Sequence, residues 1–236
     1  MPVFQLSDDI LFPDVSLSEE DGLLAIGGDL RPERLLAAYS SGIFPWYSED
    51  QPILWWSPDP RLILYPEKFR ISHSLRQKLE KNTFDIMFDT RFNRIVKLCS
   101  TVDDRGREGT WITAEMKDAY SGLHKAGYAH SVETYYKGKL VGGLYGVSLG
   151  RAFFGESMFH TMTDASKVAL FYLVQRLKEN KFLFIDSQVE TNHLVSLGAE
   201  LISRKAYLAS LKKAMKYPTL KGKWQATGPL IKGLKS

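Results

Sequence analysis

The stretch Lys139–Phe159, KLVGGLYGVSLGRAFFGESMF, constrains this chain more than any other. Alternation at period two runs through it and Gly150 falls where a turn needs backbone freedom, so it predicts two antiparallel strands joined by a short loop. Gly142, Gly143 and Gly146 give up side-chain packing in the first strand, which a strand accepts where a ligand or another backbone comes close. In the second strand the same period puts Ala152, Phe154, Glu156 and Met158 on one face, a carboxylate between a phenylalanine and a methionine. Burying an unpaired carboxylate there is costly, so either Glu156 meets a cation or the face opens into a partly apolar pocket. A bulged strand with Glu156 bound to a neighbouring Arg accounts for the pattern equally well.

With 236 residues, 44% of them hydrophobic, the chain can bury one large core or two modest ones. Its single cysteine, Cys99, excludes an internal disulfide and sits on the apolar face of a predicted helix, as a packed thiol does. No cationic start leads into an apolar run, and no apolar stretch reaches ~18 residues, so the expectation is a cytoplasmic protein without a membrane partner. A net charge of +4 is too small to specify an anionic partner by itself.

Residues 1–60 read as a small N-terminal domain and 61–236 as a larger one. Pro32 opens a helix whose Leu35, Leu36 and Tyr39 share a face, and Gly42 fits the left-handed position that ends it. The segment from Gly42 to Arg61 is too rich in proline for a helix, yet holds Trp46, Tyr47, Trp55 and Trp56. Trp55 and Trp56 read as rings that pin a loop; for Trp46, pinning and stacking on a planar ligand stand level. From Arg61 the order is strand, helix, strand, helix. Ser72 caps a helix with Leu75 and Leu79 inward, while Arg76, Lys78 and Lys81 form an outer face that is either solvated or a phosphate contact. The polar loop from Thr101 to Trp111 has the placement of a functional loop, and Thr113 caps the helix after it.

Thr163 is expected to open a strong helix. After it, KFLFIDSQVETN places Phe182, Phe184, Asp186 and Gln188 on one face by parity, an acid and an amide together at the end of a buried strand. Such strand ends carry chemistry in α/β sheets, although a buried hydrogen-bonded pair that only fixes register has the same signature. From Lys212 onward the chain is lysine-rich without an acid, and reads as an exposed tail able to follow a polyanion.

FPWYSEDQPILWWSPDPR, GTWIT, HSVETYYKGKLVGGLYG, FFGESMF and the run from IDSQV to SLGAE together resemble the leucyl/phenylalanyl-tRNA–protein transferase family, from about Gly22 to Arg204 in one order. One departure is Asp164-Ala165-Ser166-Lys167 in place of the family's Asn-Ala-Ser-Lys. The resemblance implies an enzyme that moves leucine or phenylalanine from aminoacyl-tRNA to the N-terminal Arg or Lys of a protein, marking it for N-degron degradation. It implies an α+β fold, with a small N-terminal domain and a mixed-sheet, acetyltransferase-like (GNAT) C-terminal domain. It places a catalytic acid and amide on Asp186 and Gln188, adenosine-stacking rings on Trp46 and Trp111, and a substrate-holding acid on Glu156. Strand parity adds Met158 and Phe154 as walls of the amino-acid pocket, and the basic helix adds Arg76, Lys78 and Lys81 as tRNA contacts.

Aminoacyl-tRNA is already an activated ester, so the expected chemistry needs neither metal nor cofactor, and a monomer suffices. Asp186 would hold the side-chain N–H groups of Gln188 while the amide accepts a hydrogen bond from the attacking amine. Methionine should be a weak substrate, because an apolar pocket discriminates such side chains by only ~1 to 3 kcal/mol. Two rivals remain. An acetyl-CoA-dependent N-acetyltransferase needs a glycine-rich turn for pyrophosphate, where this chain has an acid; a non-catalytic tRNA-binding module needs only the basic surface.

Overall fold

The periodicities resolve into two sheets and the helices that cover them. The computed structural model describes residues 3–101 and 112–224. Among these, β1 (Phe4–Leu6), β2 (Leu23–Gly27), β3 (Phe44–Pro45) and β4 (Leu54–Trp56) form a four-stranded sheet in the order β1-β2-β4-β3. Between β2 and β3 runs α1 (Pro32–Ser40), opened by Pro32 and closed by Gly42 at φ 79°. Trp55 is fully buried and donates its ring N–H to the Gly27 carbonyl at 2.9 Å, pinning the proline-rich segment as expected.

The second sheet has seven strands: β5 (Arg61–Leu64), β6 (Asp85–Phe88), β7 (Ala129–Tyr136), β8 (Lys139–Leu149), β9 (Ala152–His160), β10 (Phe184–Asp186) and β11 (Glu200–Ile202). Their order is β11-β5-β10-β9-β8-β7-β6, antiparallel except where β9 and β10 run parallel. This is the mixed α+β architecture the order of elements implied. One face packs against α1, α3 (Phe92–Thr101), α4 (Ala114–Lys125) and α7 (Arg204–Ala214); the other packs against α2 (His73–Glu80) and α5 (Ala165–Glu179). The strands change sheet between Trp56 and Arg61, but one apolar cluster runs through both sheets, from Leu24 and Trp55 to Tyr145 and Phe154.

Ser72, Thr113 and Ser203 cap α2, α4 and α7 by accepting from the N–H three residues on, as short polar side chains do. Thr163 does not open α5. That helix begins at Ala165, preceded by Asp164 in the left-handed region at φ 68° with no side-chain cap. Ala165 lies where a Cβ on Gly142 would come within 2.6 Å of its own, so the glycine in β8 admits the start of α5. The close approach there is by protein rather than ligand.

The central hairpin forms, but not with uniform parity. Tyr145 opposes Ser157 and Gly146 opposes Gly155, which leaves Glu156 as the extra residue of a β-bulge. A bulge reverses the alternation beyond it. Phe154 therefore belongs to the cluster under α1 and α4, whereas Met158, opposite Leu144, packs with the cluster under α5. The expectation that Phe154, Glu156 and Met158 share one face is corrected accordingly. Phe182 and Phe184 also divide between the two clusters, because β10 begins only at Phe184 and strand alternation does not reach back to Phe182.

The lysine-rich segment is a second correction. Lys212 and Lys213 lie in α7, and the chain beyond it is tied down: the Gly150 N–H donates to Thr219 Oγ1 at 2.9 Å, and the Trp224 N–H donates to Asp89 Oδ2 at 2.6 Å. Trp224 is 2% exposed and stacks on His130 at 3.9 Å, with Phe153 and Phe182 beside it. The lysines of this stretch point to solvent while its backbone is anchored. Lys232 and Lys235 lie outside the described residues. Removing so large a buried ring should cost about 3 to 5 kcal/mol, so Trp224→Ala is expected to lower the urea midpoint by that equivalent. Equilibrium unfolding measures it.

Candidate functional site

Glu156 is carried by the bulge to the edge of the α1 and α4 cluster, where among the described residues it meets no cation. Tyr39, from the buried face of α1, donates its hydroxyl to Oε1 at 2.6 Å; Tyr120, from the buried face of α4, donates to Oε2 at 2.7 Å. The carboxyl is half-buried. Burial pushes its pKa up to about 7; the tyrosine hydroxyls draw it down, the charge on Asp186 raises it and Arg61 lowers it. A carboxyl that changes charge near neutral pH is suited to proton transfer.

Asp186 closes β10, one strand from Glu156 and directly opposite Phe154. It is fully buried, and all its contacts are with protein. Arg61 holds it through two bonds, Nε to Oδ1 and Nη2 to Oδ2, each 2.8 Å; Tyr207 donates to Oδ2 at 2.7 Å, and the Gln188 main-chain N–H donates to Oδ1 at 3.0 Å. The Arg61 guanidinium lies between the rings of Phe44 and Tyr207, 4.7 and 4.6 Å from their centres, and donates to the Gly42 carbonyl at 3.2 Å. The expected bond between Asp186 and the side-chain amide of Gln188 is absent. Gln188 sits in the left-handed region, φ 57°, and its Nε2 is buried with no partner among the described residues. An unpaired buried donor costs about 1 to 3 kcal/mol, and such a cost marks a group kept for something besides packing.

Trp46 is 40% exposed, its ring centre 6.1 Å from that of Trp56. Trp111, with the loop 102–111, lies outside the described residues. Phe154 is fully buried against Tyr39, ring centres 4.8 Å apart, and has no surface to offer a substrate. Met158 is half-buried on the opposite face of the sheet. The two cannot form one wall. Arg76 and Lys81 are exposed and Lys78 half-buried on α2, across from buried Leu75 and Leu79.

Tyr39 and Tyr120 were legible as inward-facing residues of their helices, but apolar periodicity cannot show that a buried hydroxyl points at a carboxylate. Arg61 and Tyr207 carried no signal, since one opens a strand and the other lies in a helix far along the chain. Cys99 behaves as the packed thiol expected, its pKa pushed up to about 12 by burial. Among the described residues no cluster of His, Cys, Asp or Glu is arranged to hold a metal, and no helix is long and apolar enough to cross a membrane. At the start of α5 the Asp164 carboxylate binds Lys167 at 2.8 Å, so a negative charge occupies the helix end where a cofactor phosphate would need to sit.

A sequence model described as "Leucyl/phenylalanyl-tRNA protein transferase" matches residues 63–212, and one for the N-terminal domain of the same family matches 28–59. A leucyl/phenylalanyl-tRNA–protein transferase of Desulfatibacillum aliphaticivorans is 55% identical over 224 residues, 95% of this chain and 96% of that protein. One from Myxococcus xanthus is 54% identical over 226 residues, covering 95% and 97%. Among solved structures, a GCN5-related N-acetyltransferase-like protein from Streptococcus suis is 14% identical, with a TM-score of 0.36 over 70% of this chain and 61% of that one.

Two outcomes follow from the site's electrostatics. Asp186→Ala strands the buried Arg61 charge and should cost about 3 to 5 kcal/mol of stability, measurable by denaturant unfolding. For Glu156 the folded pKa, about 7, lies above the ordinary 4.5. The protonated form is therefore favoured in the folded state, and its stabilising contribution is whole below about pH 4.5 and lost as pH rises through about 7. Glu156→Gln should gain on the parent chain across that window, by up to roughly 3 kcal/mol at pH 8, and the gap should stay constant above it. Unfolding midpoints at pH 5 and pH 8 decide this.

Proposed function

The chain belongs to the leucyl/phenylalanyl-tRNA–protein transferase family, and on that premise we propose that it moves leucine or phenylalanine from aminoacyl-tRNA to the α-amine of a protein's N-terminal Arg or Lys. The observation that carries the reading into this chain's own geometry is that Glu156 and Asp186 lie on neighbouring strands, near enough for the charge of Asp186 to raise the pKa of the Glu156 carboxyl, with a buried amide donor at Gln188, two residues past Asp186, that has no partner among the described residues. We take 1–60 and 61–236 as the two units of the chain; the family matches change over between residues 59 and 63, where the strands change sheet.

The ester bond of aminoacyl-tRNA supplies the driving force, so the site's work is to bring the amine to the carbonyl, support the oxyanion and handle one proton. In this reading Trp46 stacks the terminal adenosine. Gln188 acts as a donor through its free Nε2, toward the substrate carbonyl, rather than as an acceptor from the amine. Asp186 is a positioning residue: it fixes the left-handed turn that presents Gln188. Met158 remains the candidate wall for the amino acid's side chain, on a face whose flexible apolar lining accepts methionine weakly. Arg76, Lys78 and Lys81 are placed for phosphates. The chain acts in the cytoplasm, as a monomer, without metal or cofactor.

The test is transfer of labelled leucine from leucyl-tRNA to a peptide beginning with Arg, run beside acetyl-CoA and the same peptide. Transfer from tRNA alone is expected. Gln188→Ala should lower kcat ~10²- to 10³-fold, as loss of one oxyanion donor does, and leave tRNA affinity in place. Acetylation of the peptide would replace the donor, and tRNA binding without transfer would leave a binding module.

A further inference from the structure

Three short oxygen–oxygen contacts join Glu156 to Tyr39 and Tyr120. Tyr39 Oη lies 2.6 Å from Oε1, Tyr120 Oη lies 2.7 Å from Oε2, and the two hydroxyls are 2.7 Å from each other. A contact of that length between oxygens holds a proton. Two tyrosines supply two protons for three contacts. If Glu156 is ionised, one contact is left with lone pairs facing each other. If Glu156 is a carboxylic acid, three protons fill three contacts, and the ring closes in either sense, each member donating once and accepting once.

The surroundings act in the same direction. Burial raises the carboxyl's pKa to about 7, with Asp186 of β10 adding to the rise and Arg61 of β5 opposing it. Tyr145 of β8 faces the same region with a hydroxyl that has no partner among the described residues, its own ionisation opposed by burial, by the Glu156 charge and by Cys99 of α3. The other polar groups of the site are poor proton carriers. Asp186 has no exposure and both its oxygens are engaged, and the Gln188 amide does not take up a proton at neutral pH.

We propose that Glu156 carries the proton of the transfer reaction: it rests as a neutral acid in a ring with Tyr39 and Tyr120, protonates the leaving ribose oxygen, and recovers a proton from the attacking amine. The inference rests on the aminoacyl-transfer reading above. One C–N bond forms and the ester C–O bond breaks, its electron pair going to the ribose oxygen. One proton passes from nitrogen to that oxygen by way of Glu156, which ends as it began. Between the two transfers Glu156 is a carboxylate, held by donated bonds from both tyrosines. Glu156 is thus a catalytic residue, and Tyr39 and Tyr120 are positioning residues that support both of its states. A carboxyl that titrates near the working pH is matched to this task, and an α-amine at ~7.7 to 8.0 is close enough to exchange with it.

Glu156→Gln separates the proton from the ring, because an amide closes the ring with one N–H and one carbonyl but has no acid proton to give. The variant should fold and bind leucyl-tRNA as the parent does, and its single-turnover transfer should fall ~10²- to 10⁴-fold. The parent's rate should fall above about pH 7 as Glu156 ionises, an inflection missing from the residual rate of Glu156→Gln and displaced in Tyr120→Phe. Infrared spectra of the full chain should show the carbonyl stretch of a protonated carboxylic acid at pH 6, fading through about pH 7 and absent in Glu156→Gln. Parental transfer by Glu156→Gln, an inflection that survives in it, or the lack of the acid band at pH 6 would overturn the proposal. A parent chain that shows the band but transfers nothing would overturn the function and leave the ring standing.

Discussion

The buried pair of Arg61 and Asp186 is the interaction on which the rest of the site depends. Removing two charges from water costs more than their mutual attraction returns unless the geometry is bidentate and the remaining donors and acceptors are filled. Here they are filled by Tyr207, the Gly42 carbonyl and the Gln188 N–H, with two aromatic faces against the guanidinium. These partners come from β5, β10, α7 and the turn that ends α1, so one ion pair ties the small sheet's surroundings to the large sheet. Once assembled, it fixes where β10 stops and holds the next turn in the left-handed conformation that carries Gln188.

That arrangement also divides labour between two acids that look alike in sequence. Asp186 is bound by the Arg61 guanidinium through both oxygens, with Tyr207 and the Gln188 N–H as further donors. Glu156, one strand away, meets two hydroxyls and no cation among the described residues, and burial raises its pKa to about 7. The bulge makes this possible, because it turns Glu156 toward Tyr39 and Tyr120 while the flanking strand stays paired with β8.

Much of the scaffold was legible because short-range chemistry dictates it. Alternation found the central hairpin; capping side chains found the starts of α2 and α4; Pro32 and Gly42 bracketed α1, whereas α7 was not read from the sequence. Parity arguments failed at Glu156, where one extra residue reverses the face assignments beyond it, and at Phe182, which lies ahead of β10 and not in it. The expected exposed tail failed differently. Lysine content described its side chains correctly, but a single Trp224 with partners at His130, Phe153 and Phe182 decided the path of the backbone.

The sequence alone determined the family, the mixed α+β order and the identities of Glu156, Asp186 and Gln188, since motifs and periodicities are properties of neighbouring residues. Only the tertiary structure decided what those residues are to each other. Tyr39, Arg61, Tyr120 and Tyr207 reach the two acids from distant parts of the chain, and no local pattern specifies which buried hydroxyl or guanidinium will face which carboxylate. Among the described residues Asp186 meets a guanidinium and Glu156 meets two phenols, and it is for Glu156 that burial raises the pKa to about 7.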